Sequence, residues 1–142
     1  MSSGNDISLL FIEEDETSLG ICVDVMRLRF PKLIIHSCLS PDEALKTFHE
    51  YKHDIVVTDI FSPKRMGGLR VASAICDAKP EAFVIFITGD SNIKLNHLKR
   101  NAHIFCLESI IYKPIDLREL LQKIEEAIAI ASTRRGISVP VT

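Results

Sequence analysis

At 142 residues and a formal net charge of −2, the chain has the length of one domain large enough to bury a real core. The charge leaves neither the basic footprint of a direct nucleic-acid binder nor an acidic tail. No apolar run approaches the roughly 18 residues of a membrane span. The N-terminus lacks a basic region followed by an apolar one, so no signal peptide is visible and a cytoplasmic location is expected.

Cys22, Cys38, Cys76 and Cys106 are widely scattered, with no CxxC and no nearby histidine at metal-ligand spacing. That pattern favours four buried thiols in a reducing compartment over a disulfide framework or a zinc site. Residues 1–6 read as a disordered N-terminus, 7–131 as one domain, and 132–142 as a tail or the start of a linker.

Residues 7–12 form an apolar run that reads as a strand, followed at once by Glu13-Glu14-Asp15-Glu16. Helical periodicity in Leu19, Cys22, Val23, Met26 and Phe30 spans 17–30, and Pro31 stops it. Residues 33–36 make a second short strand. Ser40-Pro41-Asp42-Glu43 is a helix start, with Ser40 as N-cap, Pro41 at the first helical position and Glu43 closing a capping box. That helix is expected to run to about Lys52 and to bury Ala44, Leu45 and Phe48.

Ile55-Val56-Val57 is a β-branched run, the mark of a strand buried on both faces, and it ends in Asp59. Pro63 and the Gly67-Gly68 pair predict a loop before a third helix with Leu69, Ala72 and Ile75 inward. Residues 83–87 form a fourth strand that delivers Thr88-Gly89-Asp90 to its end. A weaker helix follows over 92–101, burying Ile93 and Leu98. Residues 104–112 contain a fifth strand, interrupted by Glu108-Ser109 and closed by Lys113-Pro114. Asp116 caps a last helix with Leu117, Leu120, Leu121, Ile124, Ile128 and Ala131 on one face. Ile130 continues that stripe outward as a candidate partner contact.

Five strands alternating with five helices imply βαβ units and a parallel sheet covered on both faces. Right-handed crossovers leave few topologies, and a doubly wound sheet of order 2-1-3-4-5 leads among them. In that order the first and third strands are neighbours at the switch point, where open α/β sheets bind ligands. Glu13, Glu14 and Asp59 then converge with Thr88 and Lys113 in one shallow cleft.

Carboxylates in close company repel, raising at least one pKa unless a cation joins them. Hard oxygen ligands favour Mg²⁺, which takes one or two carboxylates and keeps open positions. A carboxylate is also a competent nucleophile toward phosphorus. The transferred phosphoryl group needs its charge neutralised, and an ammonium and a hydroxyl are at hand in Lys113 and Thr88.

From Ser8 to about Ala131, the chain resembles a response-regulator receiver domain of two-component signalling, with its flavodoxin-like fold. Four motifs carry the resemblance: the acidic pair after the first strand, the aspartate with Pro63 at +4 and Gly67 at +8, Thr88, and Lys113-Pro114. The resemblance implies that Asp59 is the phosphoacceptor. It further implies that Glu13, Glu14, Asp59 and the Phe61 backbone carbonyl hold Mg²⁺, and that Thr88 and Lys113 contact the phosphoryl oxygens. A cis Lys113-Pro114 peptide is implied as well. The implied partner is a sensor histidine kinase or a phosphotransfer protein, with a homodimer as a further candidate. Nothing in the sequence reads as a DNA-binding output module, so the output target is open.

The chain departs from the family pattern at several points. Glu14 stands where an aspartate is usual, and Ile110 where the switch aromatic would be. Ser62 and Met66 replace the commoner loop residues, and the interval from Thr88 to Lys113 is longer than usual. Two other readings therefore stand beside the phosphoacceptor. One is a pseudo-receiver that acts only as a binding or dimerisation module. The other is a Mg²⁺-dependent phosphatase, which would want an acid where Phe61 stands. Phe61 is instead expected to obstruct water at the mouth of the site and slow loss of phosphate. His36, His49, His53, His97 and His103 share no spacing, which speaks against a phosphotransfer or metal histidine.

Overall fold

The computed structural model describes residues 6–60, 65–101 and 104–137. Five strands, β1 (Ser8–Ile12), β2 (Ile34–Cys38), β3 (Ile55–Asp59), β4 (Phe83–Thr88) and β5 (Leu107–Tyr112), alternate with five helices. The helices are α1 (Glu16–Arg29), α2 (Pro41–Tyr51), α3 (Arg65–Ala78), α4 (Leu95–Asn101) and α5 (Leu117–Arg134). The strands form one parallel sheet in the order β2-β1-β3-β4-β5, as expected from the crossover rules.

Period-two alternation along the central strands divides the interior into two cores. Leu9, Phe11, Ile55, Val57, Ile85 and Ile87 face α1 and α5, where they meet Met26, Leu120 and Ile124. Leu10, Ile12, Val56, Val84 and Phe86 face the other way, toward Phe48 of α2, Ala72 and Ile75 of α3, and Leu98 of α4. Because both faces are covered, β3 and β4 are buried at every residue. This is why they read as unbroken apolar runs rather than alternating ones.

Caps fix where the helices begin. The Asp15 side chain accepts from the Thr17 and Ser18 amides, so one member of the acidic run is a helix cap. Ser40 accepts from the Glu43 amide at 3.3 Å, and Asp116 accepts from the Arg118 amide at 2.9 Å. Each satisfies a backbone donor that the first turn leaves without a partner.

Four expectations are corrected. Gly67-Gly68 does not mark a loop: α3 starts at Arg65 and contains both glycines. A Cβ on Gly68 would sit 2.5 Å from the Asp59 carbonyl oxygen and 3.1 Å from the Ile60 Cα. The glycine is needed for close approach of α3 to the end of β3. Glu108 does not interrupt β5 but is a bulge, since Val84 pairs with Leu107 and Ile85 with Ser109. The weaker helix is shorter than expected, beginning at Leu95 after an Asp90 side chain accepts from the Asn92 amide. Finally, the cysteines are not all free. Cys76 and Cys106 form a disulfide, while Cys22 and Cys38 remain buried thiols. The pair is 30 residues apart in sequence and meets only because α3 packs beside the turn that leads into β5. No helix of the described residues is long and apolar enough to cross a membrane.

Candidate functional site

β1 and β3 are hydrogen-bonded neighbours in the sheet, so the residues that follow β1 and end β3 emerge side by side. Glu13 is 1% exposed and Asp59 4% exposed. Their backbones are fixed by the sheet: the Glu13 amide donates to the Cys38 carbonyl at 3.1 Å, and the Ile60 amide donates to the Ile87 carbonyl at 2.9 Å. From the other side the Lys113 amide donates to the Thr88 carbonyl at 2.8 Å, continuing the β4–β5 ladder past its last pair. The Lys113–Pro114 peptide is cis, as the resemblance implied.

The Lys113 ammonium lies between the two acids. Its Nζ is 2.9 Å from Asp59 Oδ2 and 3.2 Å from Glu13 Oε1. The first contact is a hydrogen bond. The second is a charge contact without hydrogen-bond alignment, and Glu13 Oε1 is left buried without a hydrogen-bond partner. The other Glu13 oxygen accepts from the Asp15 amide at 3.0 Å. Burial pushes the Asp59 carboxyl up to about 7. The Lys113 hydrogen bond opposes that rise, and neighbouring Glu13 adds to it. Burial alone would lower the Lys113 ammonium, yet its bonds and charge contacts with Asp59 and Glu13 raise it.

Two buried carboxylates thus share one ammonium. An unbonded, buried carboxylate oxygen and a carboxyl held above its ordinary range both call for more positive charge. The donors are hard oxygens, and Mg²⁺ needs only one or two of them. The residues present fit that ion. Of the expected groups, the fold brings together Glu13, Asp59 and Lys113. Thr88 is buried at the end of β4, and its hydroxyl oxygen accepts from the Asp90 amide at 3.1 Å. Glu14 does not join the buried pair: its side chain is exposed. Among the described residues no three acidic, histidine or cysteine side chains are grouped to hold a metal. Phe61 and its carbonyl lie outside the described residues, as do Ser62 and Pro63. Ile110 is half-buried on β5 and packs against the α2–α3–α4 core.

Sequence reasoning missed a second cluster, at the amino end of the sheet. His36 Nδ1 and His53 Nε2 are 2.7 Å apart, with the Tyr51 ring 4.3 Å from that of His36. The two histidines stand on different elements, so no spacing rule could pair them. His36 belongs to β2 and His53 to the turn between α2 and β3, and the end of α2 brings them together, with the Tyr51 ring against His36 and the Phe48 ring stacked on His53.

A family model described as the response regulator receiver domain matches residues 9–125. No curated protein sequence matches the chain. Among solved structures, the chain is similar to a CheY-like response regulator receiver domain protein from Methanospirillum hungatei JF-1, with a TM-score of 0.77 and 20% identity over 90% of this chain and 98% of that one. It is also similar to the signal receiver domain of a DNA-binding response regulator from Colwellia psychrerythraea 34H, with a TM-score of 0.72 and 24% identity over 85% and 97% of the two chains. NtrX from Brucella abortus, crystallised with ADP, aligns with a TM-score of 0.72 and 20% identity over 91% of this chain and 28% of its own.

Proposed function

Because the chain belongs to the response regulator receiver domain family, we propose that it is a phosphoacceptor module of two-component signalling, switched by Mg²⁺-dependent phosphorylation of Asp59. The observation that carries this reading is the Lys113 ammonium 2.9 Å from a buried Asp59 carboxylate, with Glu13 alongside. A receiver is a signalling module rather than an enzyme acting on a separate substrate. Its chemistry is the gain and loss of its own phosphoryl group.

In the transfer, an Asp59 oxygen attacks the phosphorus of a phosphohistidine on a sensor kinase or phosphotransfer protein. The P–N bond of the donor breaks, and a P–O bond to Asp59 forms an acyl phosphate. Lys113, already hydrogen-bonded to Asp59, would turn to a phosphoryl oxygen as the carboxylate loses its charge. The Thr88 hydroxyl would donate to another. Glu13, Glu14, Asp59 and the Phe61 carbonyl would hold Mg²⁺, which when bound neutralises the gathered negative charge. Exposure of Glu14 makes Glu13 and Asp59 the main protein ligands in this reading.

The test is intact mass after incubation with acetyl phosphate and Mg²⁺. A gain of one phosphoryl group in the wild type, absent in Asp59→Asn, is the expected result. No gain with any divalent metal would sink this reading in favour of a binding or dimerisation module without phosphorylation, which the isoleucine at position 110 and the exposed Glu14 would then explain.

A further inference from the structure

Two of the four cysteines are placed for chemistry that phosphoryl transfer does not use. Cys76 lies in the last turn of α3 and Cys106 immediately before β5, their Cα atoms 5.5 Å apart. That separation sits within the range a disulfide spans without backbone movement. Cys22 and Cys38 belong to opposite cores, one under α1 and one against α2, and have no thiol to meet. Burial raises both of those thiols, which keeps them protonated and unreactive.

We propose that Cys76 and Cys106 form a reversible thiol–disulfide modification site whose oxidised form clamps the segment carrying β4, Thr88 and α4. The cross-link closes a loop that begins in α3 and ends at β5, so everything between is tied at both ends. That segment needs a tie. α4 has seven residues, and Leu98 is its one buried side chain among the described residues. The turn before it is held through the Tyr112 hydroxyl, which donates to the Ile93 carbonyl. The cysteines themselves are covered, but Phe105 beside Cys106 is 52% exposed, so the turn that carries Cys106 lies at the surface. Local opening of that turn is the step by which a low-molecular-weight disulfide reaches the thiols.

The exchange balances without any other reactant. The Cys106 thiolate attacks one sulfur of the small disulfide, forming a mixed disulfide and expelling one thiolate. The Cys76 thiolate then attacks the Cys106 sulfur and expels the second. Two protein thiols are oxidised, one small disulfide is reduced to two thiols, and the two protons pass to the departing thiolates. This site stands independently of whether Asp59 accepts phosphate.

The full chain is equilibrated over a series of reduced and oxidised glutathione mixtures, quenched in acid, denatured and alkylated. The expected result is two alkylated thiols in oxidised glutathione and four in excess reduced glutathione, with peptide mapping placing the difference at Cys76 and Cys106. Cys76→Ser should instead leave a glutathione adduct on Cys106. Backbone hydrogen exchange over α4 should be about tenfold slower in the oxidised wild type, the share of loop-closure stabilisation that reaches a local opening. Four reactive thiols in oxidised glutathione would overturn the proposal. So would a cross-link that survives excess reduced glutathione in the folded protein, or equal exchange over α4 in the two states. The wild-type comparison decides these points even where a serine variant fails to fold.

Discussion

Buried aspartates stand at both ends of β3, and the protein treats them in opposite ways. Asp54, just before the strand, receives the Ser8 amide at 3.0 Å, the Lys79 ammonium at 3.2 Å and an Arg135 guanidinium nitrogen at 3.1 Å. Its side chain is 7% exposed and meets two cations. Asp59, at the far end, has a side chain 6% exposed and shares one ammonium with Glu13. One end of the strand sets two cations against one buried acid, and the other sets one cation between two. A buried acid balanced by its own protein is a structural fixture. A buried acid left short of positive charge is poised to take it from outside.

The largest effect expected from that contrast is on stability. Asp54→Asn takes the carboxylate away from Lys79 and Arg135, which keep their bonds to the Lys52 and Asp6 carbonyls and whose side chains are 19% and 32% exposed. Partial solvation of those cations sets the cost at about 3 kcal/mol, the lower end of the range for breaking a buried pair. Asp59→Asn removes a carboxylate that Glu13 opposes, so it should leave stability unchanged or raise it by about 1 kcal/mol. Urea unfolding of both variants in Mg²⁺-free buffer measures the difference. Equal losses would remove the distinction between the two ends.

The amino end should also respond to acid. His53 is fully buried and held down to about 4 by burial first, then by His36 and Lys79, with Asp54 opposing. Its folded pKa lies below the unfolded value of about 6.5. The folded state therefore binds fewer protons, and the stabilisation is present above the unfolded pKa and lost as pH falls toward 4. Between pH 7 and pH 5 that loss amounts to about 2 kcal/mol. Urea midpoints at the two pH values, for the wild type and His53→Phe, isolate it because other titrating groups are common to both. A wild-type advantage that does not change with pH would show that His53 is not held neutral.

Those two ends were not equally legible in the sequence. The carboxyl end could be read because topology does the assembling. Apolar runs mark β1, β3 and β4, the crossover rule orders them, and Glu13, Asp59 and Lys113 then meet at strand ends. The caps Ser40 and Asp116 were equally plain, since a cap is a local bond. Contacts made across packed elements were not. Asp54 with Arg135, His36 with His53, and Cys76 with Cys106 have spacings that mean nothing until the helices are seated. Gly68 looked like a turn residue because α3 and the end of β3 had not yet been brought together. Its role is checked by Gly68→Ala, which must push α3 off a backbone carbonyl and should cost about 2 kcal/mol in urea unfolding. A neutral effect would mean that the close approach to Asp59 is not required.

The smallest expected effect is the most specific to the carboxyl end. A cation that binds the folded chain alone stabilises it by mass action, about 1.4 kcal/mol at ten times its dissociation constant. Mg²⁺ at that level should shift the wild-type urea midpoint accordingly. Asp59→Asn and Glu13→Gln should each abolish most of the shift, because they remove the two buried carboxylates. Glu14→Gln should remove less, since its side chain is exposed and the folded chain does not hold it in place. Asp54→Asn should keep the whole shift despite its lower starting stability, because its acid lies at the opposite end of β3. A shift that survives Asp59→Asn, or that disappears in Asp54→Asn, would place the cation elsewhere. The buried Glu13 oxygen without a hydrogen-bond partner would then need another explanation.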